Sequence, residues 1–190
     1  MAHRRNIRLD LEYDGTDFVG WQVQPHGRSV QGEITRALER LLRDRIVPVA
    51  SGRTDSGTHA VGQVAHFHTE SLHSAAKIRR ALNGILPPDI AVTAAADVEA
   101  DFHARYSALS KCYRYRIATA KSAVQRRQVW HFYRTLDLDA MRLGASALVG
   151  KHEFDAFCNH RPMPDSFTCN VLGCCWRQQG EELIFEIEAN

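Results

Sequence analysis

"IRLDLEY", residues 7–13, decides the fold: Ile7, Leu9, Leu11 and Tyr13 alternate with Arg8, Asp10 and Glu12. A period of two places the apolar side chains on one face and the charges on the other, which is the pattern of a half-buried β-strand. Such a face needs a cover, and the next apolar pattern supplies one. Val30, Ile34, Leu38, Leu41 and Leu42 form a single helical stripe, with Ser29 placed to cap its start. Between the two lies "DGTDFVGWQVQPHGRS", residues 14–29, a glycine-rich polar loop. Pro48 follows the helix, and "GQVAHFHTE", residues 62–70, alternates again as a strand. "SAAKIRRALNGIL" carries helical spacing at Ile78, Leu82 and Ile85 until "PPD" stops it, and "IAVTAAADV" reads as a strand.

The second half repeats the rhythm. "KCYRYRIAT" is a strand with Tyr113, Tyr115 and Ile117 on one face. "LDAMRLGASALVG" predicts a helix that turns Met141, Leu148 and Val149 inward. "VLGCCWRQ" and "ELIFEIEA" are two further strands, the last with Leu183, Phe185 and Ile187 on one face. Strand, helix, strand, taken twice, indicates an α/β or α+β fold in two halves. The halves are assigned to residues 1–105 and 106–190, and "ATAKSAVQRRQ" is expected to be a flexible segment between them.

The 190 residues, 44% of them hydrophobic, suffice for one substantial core and are marginal for two small ones. A formal net charge of +2 neither demands nor excludes a nucleic-acid partner. Local basic clusters exist in "MAHRRNIR", "KIRRAL", "KCYRYR" and "QRRQVWHFYR", and on charge alone they read as solvated faces. The start has charges where a signal peptide needs an apolar run, and no apolar run spans a bilayer, so neither secretion nor a membrane is expected. Cys112, Cys158, Cys169, Cys174 and Cys175 are odd in number and lack paired spacing, which fits reduced thiols in the cytoplasm. Cys158 with His160, and Cys174 with Cys175, imitate zinc-ligand pairs poorly, and no metal is expected.

"ASGRTDSGTHA", residues 50–60, holds one carboxylate, Asp55, between two glycines, with Arg53 before it and His59 after. Glycines allow tight backbone angles and close approach of a ligand. An aspartate there can serve as nucleophile, base or charge stabiliser, and Arg53 can grip a phosphate or stack on a base. The plainer reading is a turn whose aspartate satisfies nearby amides. "DSGT" also looks like an aspartic-protease loop, but such an enzyme needs a second loop, and "YDGT" has the wrong spacing. A homodimer could supply the partner carboxylate, yet a cation beside the pair opposes a shared proton. Serine-hydrolase, P-loop and dinucleotide motifs are absent from the sequence.

Four stretches in order resemble the tRNA pseudouridine synthase A family. They are "YDGTDFVGWQVQP" (13–25), "GRTDSGTHAVGQVAHF" (52–67), "FHARYSALSKCYRYRI" (102–117) and "HEFDAFC" (152–158). The resemblance covers essentially the whole chain. It implies an α+β fold of two similar α/β halves, with a mixed, largely antiparallel central sheet flanked by helices and a catalytic cleft between the halves. It assigns the catalytic carboxylate to Asp55, the residue that fills the space of a flipped nucleotide to Arg53, and stacking on the target base to Tyr113. The reaction implied is isomerisation of uridine to pseudouridine at positions 38–40 of the tRNA anticodon arm, by a homodimer, with no cofactor or metal. Under that resemblance Arg79, Arg80, Arg114, Arg116, Arg126 and Arg127, with the N-terminal "HRR", become candidates for phosphate contacts.

Two departures stand out. The family continues beyond "FEIEAN" into a helix beside the active site, so a C-terminal truncation is expected, with apolar surface left open. Asn170 stands where the family commonly has a basic residue. The second reading is therefore a catalytically inactive RNA-binding remnant of the same fold.

Overall fold

The computed structural model describes residues 4–157 and 166–190. Two compact units divide between Ala108 and Leu109. The fold is α+β, and each unit carries its own sheet.

In the first unit, β1 (Arg5–Tyr13) is central, followed by α1 (Val30–Leu42), β2 (Val49–Ala50), β3 (Ala60–Thr69), α2 (Ala75–Ile85) and β4 (Ile90–Val98). The sheet order is β2-β3-β1-β4, all antiparallel. The alternation of β1 does what its sequence requires: Ile7, Leu9 and Leu11 are fully buried and cluster with Val30, Ile34, Leu38, Ile78 and Leu82 from the two helices. Each such side chain contributes about 1.5–3 kcal/mol by leaving water. Ser29 caps α1 by accepting from the Gly32 amide at 3.3 Å, and Ser74 caps α2 by accepting from the Lys77 amide. The Asn83 side chain bonds the Val92 amide at 2.7 Å and its carbonyl at 3.0 Å, tying α2 to β4.

The second unit contains β5 (Lys111–Ala118), β6 (Trp130–His131), α3 (Leu138–Ser146), β7 (Gly150–Glu153), a 3₁₀ turn (Asp155–Phe157), β8 (Thr168–Gln179) and β9 (Glu182–Ala189). Its order is β6-β5-β9-β8-β7, antiparallel except for the short β5–β6 pair. β8 and β9 form a hairpin whose first turn residue, Gly180, takes φ +60°, as a tight two-residue loop demands.

Two expectations need correction. The helix predicted over 138–150 ends at Ser146; Ala145 is its buried residue, Leu148 is half-buried beyond it, and Val149 is exposed. The physical reason is in the backbone. The Leu148 and Val149 amides bond back three residues, to Ala145 and Ser146, so the last turn tightens before Gly150, at φ +109°, opens β7. The segment 118–128, expected between the halves, lies inside the second unit, where it links β5 to β6.

Candidate active site

The loop of residues 51–59 leaves β2 and returns into β3, and its shape is imposed from below by the 14–29 loop. The Thr54 carbonyl accepts from the Trp21 amide at 3.0 Å, and its hydroxyl meets the Tyr13 hydroxyl at 2.9 Å. Tyr13 and Trp21 are both buried, with ring centroids 6.4 Å apart, so Thr54 sits on the edge of the core. Gln63 holds the Gly52 carbonyl at 2.8 Å. Beyond Asp55 the Gly57 amide donates to Phe18 O at 3.1 Å, and the Ser56 hydroxyl donates to the same oxygen. The Thr58 amide closes the turn onto the Asp55 carbonyl at 3.1 Å.

Two glycines make this contact possible. A Cβ on Gly15 would lie 2.0 Å from the Thr58 carbonyl oxygen, and one on Gly20 would lie 2.6 Å from the Thr54 carbonyl oxygen, with φ at +111° besides. The glycine-rich loop after β1 is therefore the bed on which the Asp55 turn rests. That role required pairing two segments about forty residues apart, and only the "YDGTDFVGW" glycine spacing hinted at it.

The bed is itself pinned. Arg28 grips Asp89 through two bonds of 2.5 and 2.9 Å, bonds Glu33 at 2.8 Å, and lies 4.3 Å over the Phe18 ring. The Asp89 hydrogen bond holds the Arg28 guanidinium even more firmly protonated than usual. Burial pushes Glu33 up, but hydrogen bonds from Arg36 and Arg28 outweigh it and keep the carboxyl below its ordinary range. Asp14 accepts from the Thr16 amide and hydroxyl and lies 3.1 Å from His59 Nδ1. The Gly15 amide is 3.2 Å from the same nitrogen. A neutral Nδ1 accepts from Gly15, whereas a protonated one donates to Asp14, so only one of the two bonds forms in a given state.

On this support Asp55 and Arg53 are both exposed. Among the described residues, neither side chain has a hydrogen bond or an ion pair. The plainer reading, in which the Asp55 carboxylate satisfies neighbouring amides, does not hold: its backbone carbonyl closes the turn while its side chain stands in solvent. A depression of about 410 Å³ elsewhere in the first unit is lined by Val98, Glu99, Asp101, Phe102 and Ser107. It contains no residue of the loop, and its two carboxylates would repel a phosphate.

In the second unit, Tyr113 is about half exposed on β5, on one face with Tyr115. Arg114 points to the opposite face, where it bonds Glu186 at 2.7 Å, and Arg177 meets the same carboxylate. Arg116 makes a two-pronged pair with Glu182. The structure thus separates Arg114 from the tyrosine face and gives its charge a protein partner. Arg79 and Arg80 are exposed on α2, Arg79 donating to the Thr93 carbonyl. Arg126 and Arg127 are exposed, Arg126 donating to the Ala123 carbonyl. Cys112, Cys169, Cys174 and Cys175 are free, and burial, then the adjacent Cys175, pushes the Cys174 thiol up. Cys158 and His160 lie outside the described residues. Among the described residues, no helix is long and apolar enough to cross a membrane.

The turn thus presents an exposed carboxylate and an exposed guanidinium two residues apart, on a backbone held by the 14–29 loop. Residues 11–107, which include the whole turn and its bed, match the family model described as tRNA pseudouridine synthase. The chain is 43% identical over 189 residues to tRNA pseudouridine synthase A of Halalkalibacterium halodurans, covering 98% of this chain and 72% of that protein. It is 42% identical to the protein of the same name from Moorella thermoacetica (97% and 76% covered), and 40% to that from Caldicellulosiruptor saccharolyticus (98% and 77% covered). The chain belongs to the tRNA pseudouridine synthase family, whose members are isomerases acting on tRNA.

Proposed function

We propose that this chain converts uridine to pseudouridine at positions 38–40 of the tRNA anticodon arm, with Asp55 as the catalytic group. The supporting observation is the Asp55 carboxylate, exposed and unpartnered among the described residues on a turn braced on both sides by backbone bonds to the 14–29 loop. The reaction breaks the C1′–N1 bond of uridine, turns the uracil, joins C5 to C1′ and releases the C5 proton to solvent. It neither gains nor loses electrons, so the chemistry requires no redox partner. Asp55 can attack C1′ or C6 as a nucleophile, or take a proton from the sugar to give a glycal-like intermediate. Either role needs the uridine outside its stack, at a cost of a few kcal/mol. Arg53 fills the vacated space and Tyr113 stacks on the extruded base, which together offset that cost. Arg79, Arg80, Arg126 and Arg127 position the RNA through phosphates, and the working form is a cytoplasmic homodimer.

Tritium release from C5-labelled uridine in tRNA tests this reading. The expected result is release by the wild-type chain and a loss of at least about 10²- to 10⁴-fold in Asp55→Ala. Binding of tRNA with no release would make the chain an inactive RNA-binding form of the fold and overturn the proposal.

A further inference from the structure

The Asp55 turn is fastened at its entrance and at its tip. The Trp21 amide holds the Thr54 carbonyl, Gln63 holds the Gly52 carbonyl, and Phe18 O accepts from both the Gly57 amide and the Ser56 hydroxyl. The exit is a different case. There the chain runs into β3 through an irregular stretch of the ladder. Leu11 lies opposite Gln63, yet Tyr13 lies opposite Ala60, so β3 carries one extra residue between those pairs. A bulge of this kind interrupts the ladder and lets the strand bend, and Val61 and Gly62, which form it, are exposed. The register of β1 is therefore not transmitted to the residues that close the turn.

His59 stands at that exit, half-buried beside Thr58, and its side chain supplies the missing tie. Its Nδ1 is 3.2 Å from the Gly15 amide and 3.1 Å from Asp14 Oδ1. Gly15 is buried, and among the described residues its amide has no other acceptor. A buried amide left without an acceptor is costly, so a neutral ring is held there. A protonated ring turns the same nitrogen to Asp14, one residue away. In both states His59 is tied to the corner formed by Asp14 and Gly15. That corner is itself fixed. The Asp14 amide donates to the Asp89 carbonyl at 3.0 Å, and Arg28 clamps the Asp89 side chain. The Phe18 amide donates to the Gly15 carbonyl at 3.0 Å. A Cβ on Gly15 would lie 2.0 Å from the Thr58 carbonyl oxygen, so corner and exit pack backbone against backbone.

We propose that His59 is the positioning residue of the Asp55 turn: through Nδ1 it fixes the exit of the turn to Asp14 and Gly15, and so sets where the carboxylate stands when it meets the nucleotide. The proposal rests on the reading of Asp55 as the catalytic group and adds a residue that acts through it. A reacting group misplaced by about 1 Å can lose about 10²-fold in rate. The anchor is therefore read in the chemical step and not in RNA affinity.

Two substitutions separate the hydrogen bond from the bulk of the ring. His59→Asn keeps an acceptor where Nδ1 stood, and His59→Phe keeps a flat ring without one. In single-turnover tritium release by the full chain, His59→Phe is expected to fall by about 10- to 100-fold with tRNA affinity within a few-fold of wild type. His59→Asn is expected to recover most of that rate. Amide hydrogen exchange gives a second readout that needs no activity. The Gly15 amide should exchange faster in His59→Phe and regain protection in His59→Asn, while the amides of residues 7–11 stay as protected as in wild type. A wild-type rate in His59→Phe overturns the proposal. So does an equal loss of rate in both variants, which would leave the acceptor without a role. A loss of protection as large at residues 7–11 as at Gly15 also overturns it, because His59 would then be a prop of the whole unit. The two readings fail separately. If the wild-type chain releases no tritium while Gly15 exchange follows the expected pattern, the synthase reading falls and the anchor stands. Full release by His59→Phe sinks the anchor alone.

Discussion

The two units bury their strands to different degrees. Nineteen apolar residues are buried in the first, including a contiguous cluster from β1, β3, β4 and both long helices, against five in the described part of the second: Ile117, Ala118, Ala145, Val171 and Leu183. The first unit covers one sheet face with α1 and α2 and rests the Asp55 turn at the edge of that core. The second devotes one sheet face to arginine–glutamate pairs and leaves half-exposed rings on the other. The contrast teaches where a short loop can be held: the closed core braces the Asp55 turn, whereas the second unit leaves its rings half exposed.

Mutations can break that comparison. The largest effect is expected in the first core: Leu9→Ala should cost about 2–5 kcal/mol, whereas Tyr115→Ala in the second unit should cost under about 1 kcal/mol, both read from urea melts. Equal losses would show that the two units are packed alike. Next in size, Gly20→Ala places a Cβ against the Thr54 carbonyl at an unfavourable φ. It should cost about 1–3 kcal/mol of stability and lower tritium release well beyond that share, because the Asp55 turn must shift. Activity that survives with wild-type rate would mean that the bed does not set the turn.

The smallest effect concerns pH. His66 is buried on β3, its Nδ1 accepts from the Ala104 amide at 3.1 Å, and burial, then the charges of His103 and His68, lowers its pKa. A histidine that folds in its neutral form binds more protons when unfolded. Its contribution is therefore complete above the ordinary imidazole value of about 6.5 and is lost as pH falls below it toward the lowered value. His66→Gln should flatten the fall in stability of the first unit between neutral and mildly acidic pH. An unchanged pH profile would assign that fall to other groups.

Much of this was legible in the chain. The period-two run of β1, the Ser29 cap and the stripe Val30, Ile34, Leu38 each follow from local rules and appear where those rules put them. The family blocks pointed to the turn at Asp55, and the match over residues 11–107 confirms the family. What escaped was non-local or too short to carry a period. β6 has two residues and exists only because Ile117 pairs with Trp130. The bracing of Thr54 by Trp21 and of Gly57 by Phe18 needs contacts between loops remote in sequence. Arg114 reads as a free cation in "KCYRYR", and only the register with β9 shows that Glu186 faces it.

One measurement bears hardest on the account. Asp55→Asn keeps the shape of the side chain and removes its charge and basicity. Single-turnover isomerisation of C5-tritiated tRNA should fall by at least about 10²-fold with tRNA affinity within a few-fold of wild type. A rate within about twofold of wild type would place the chemistry on another residue and contradict the catalytic role of the exposed carboxylate.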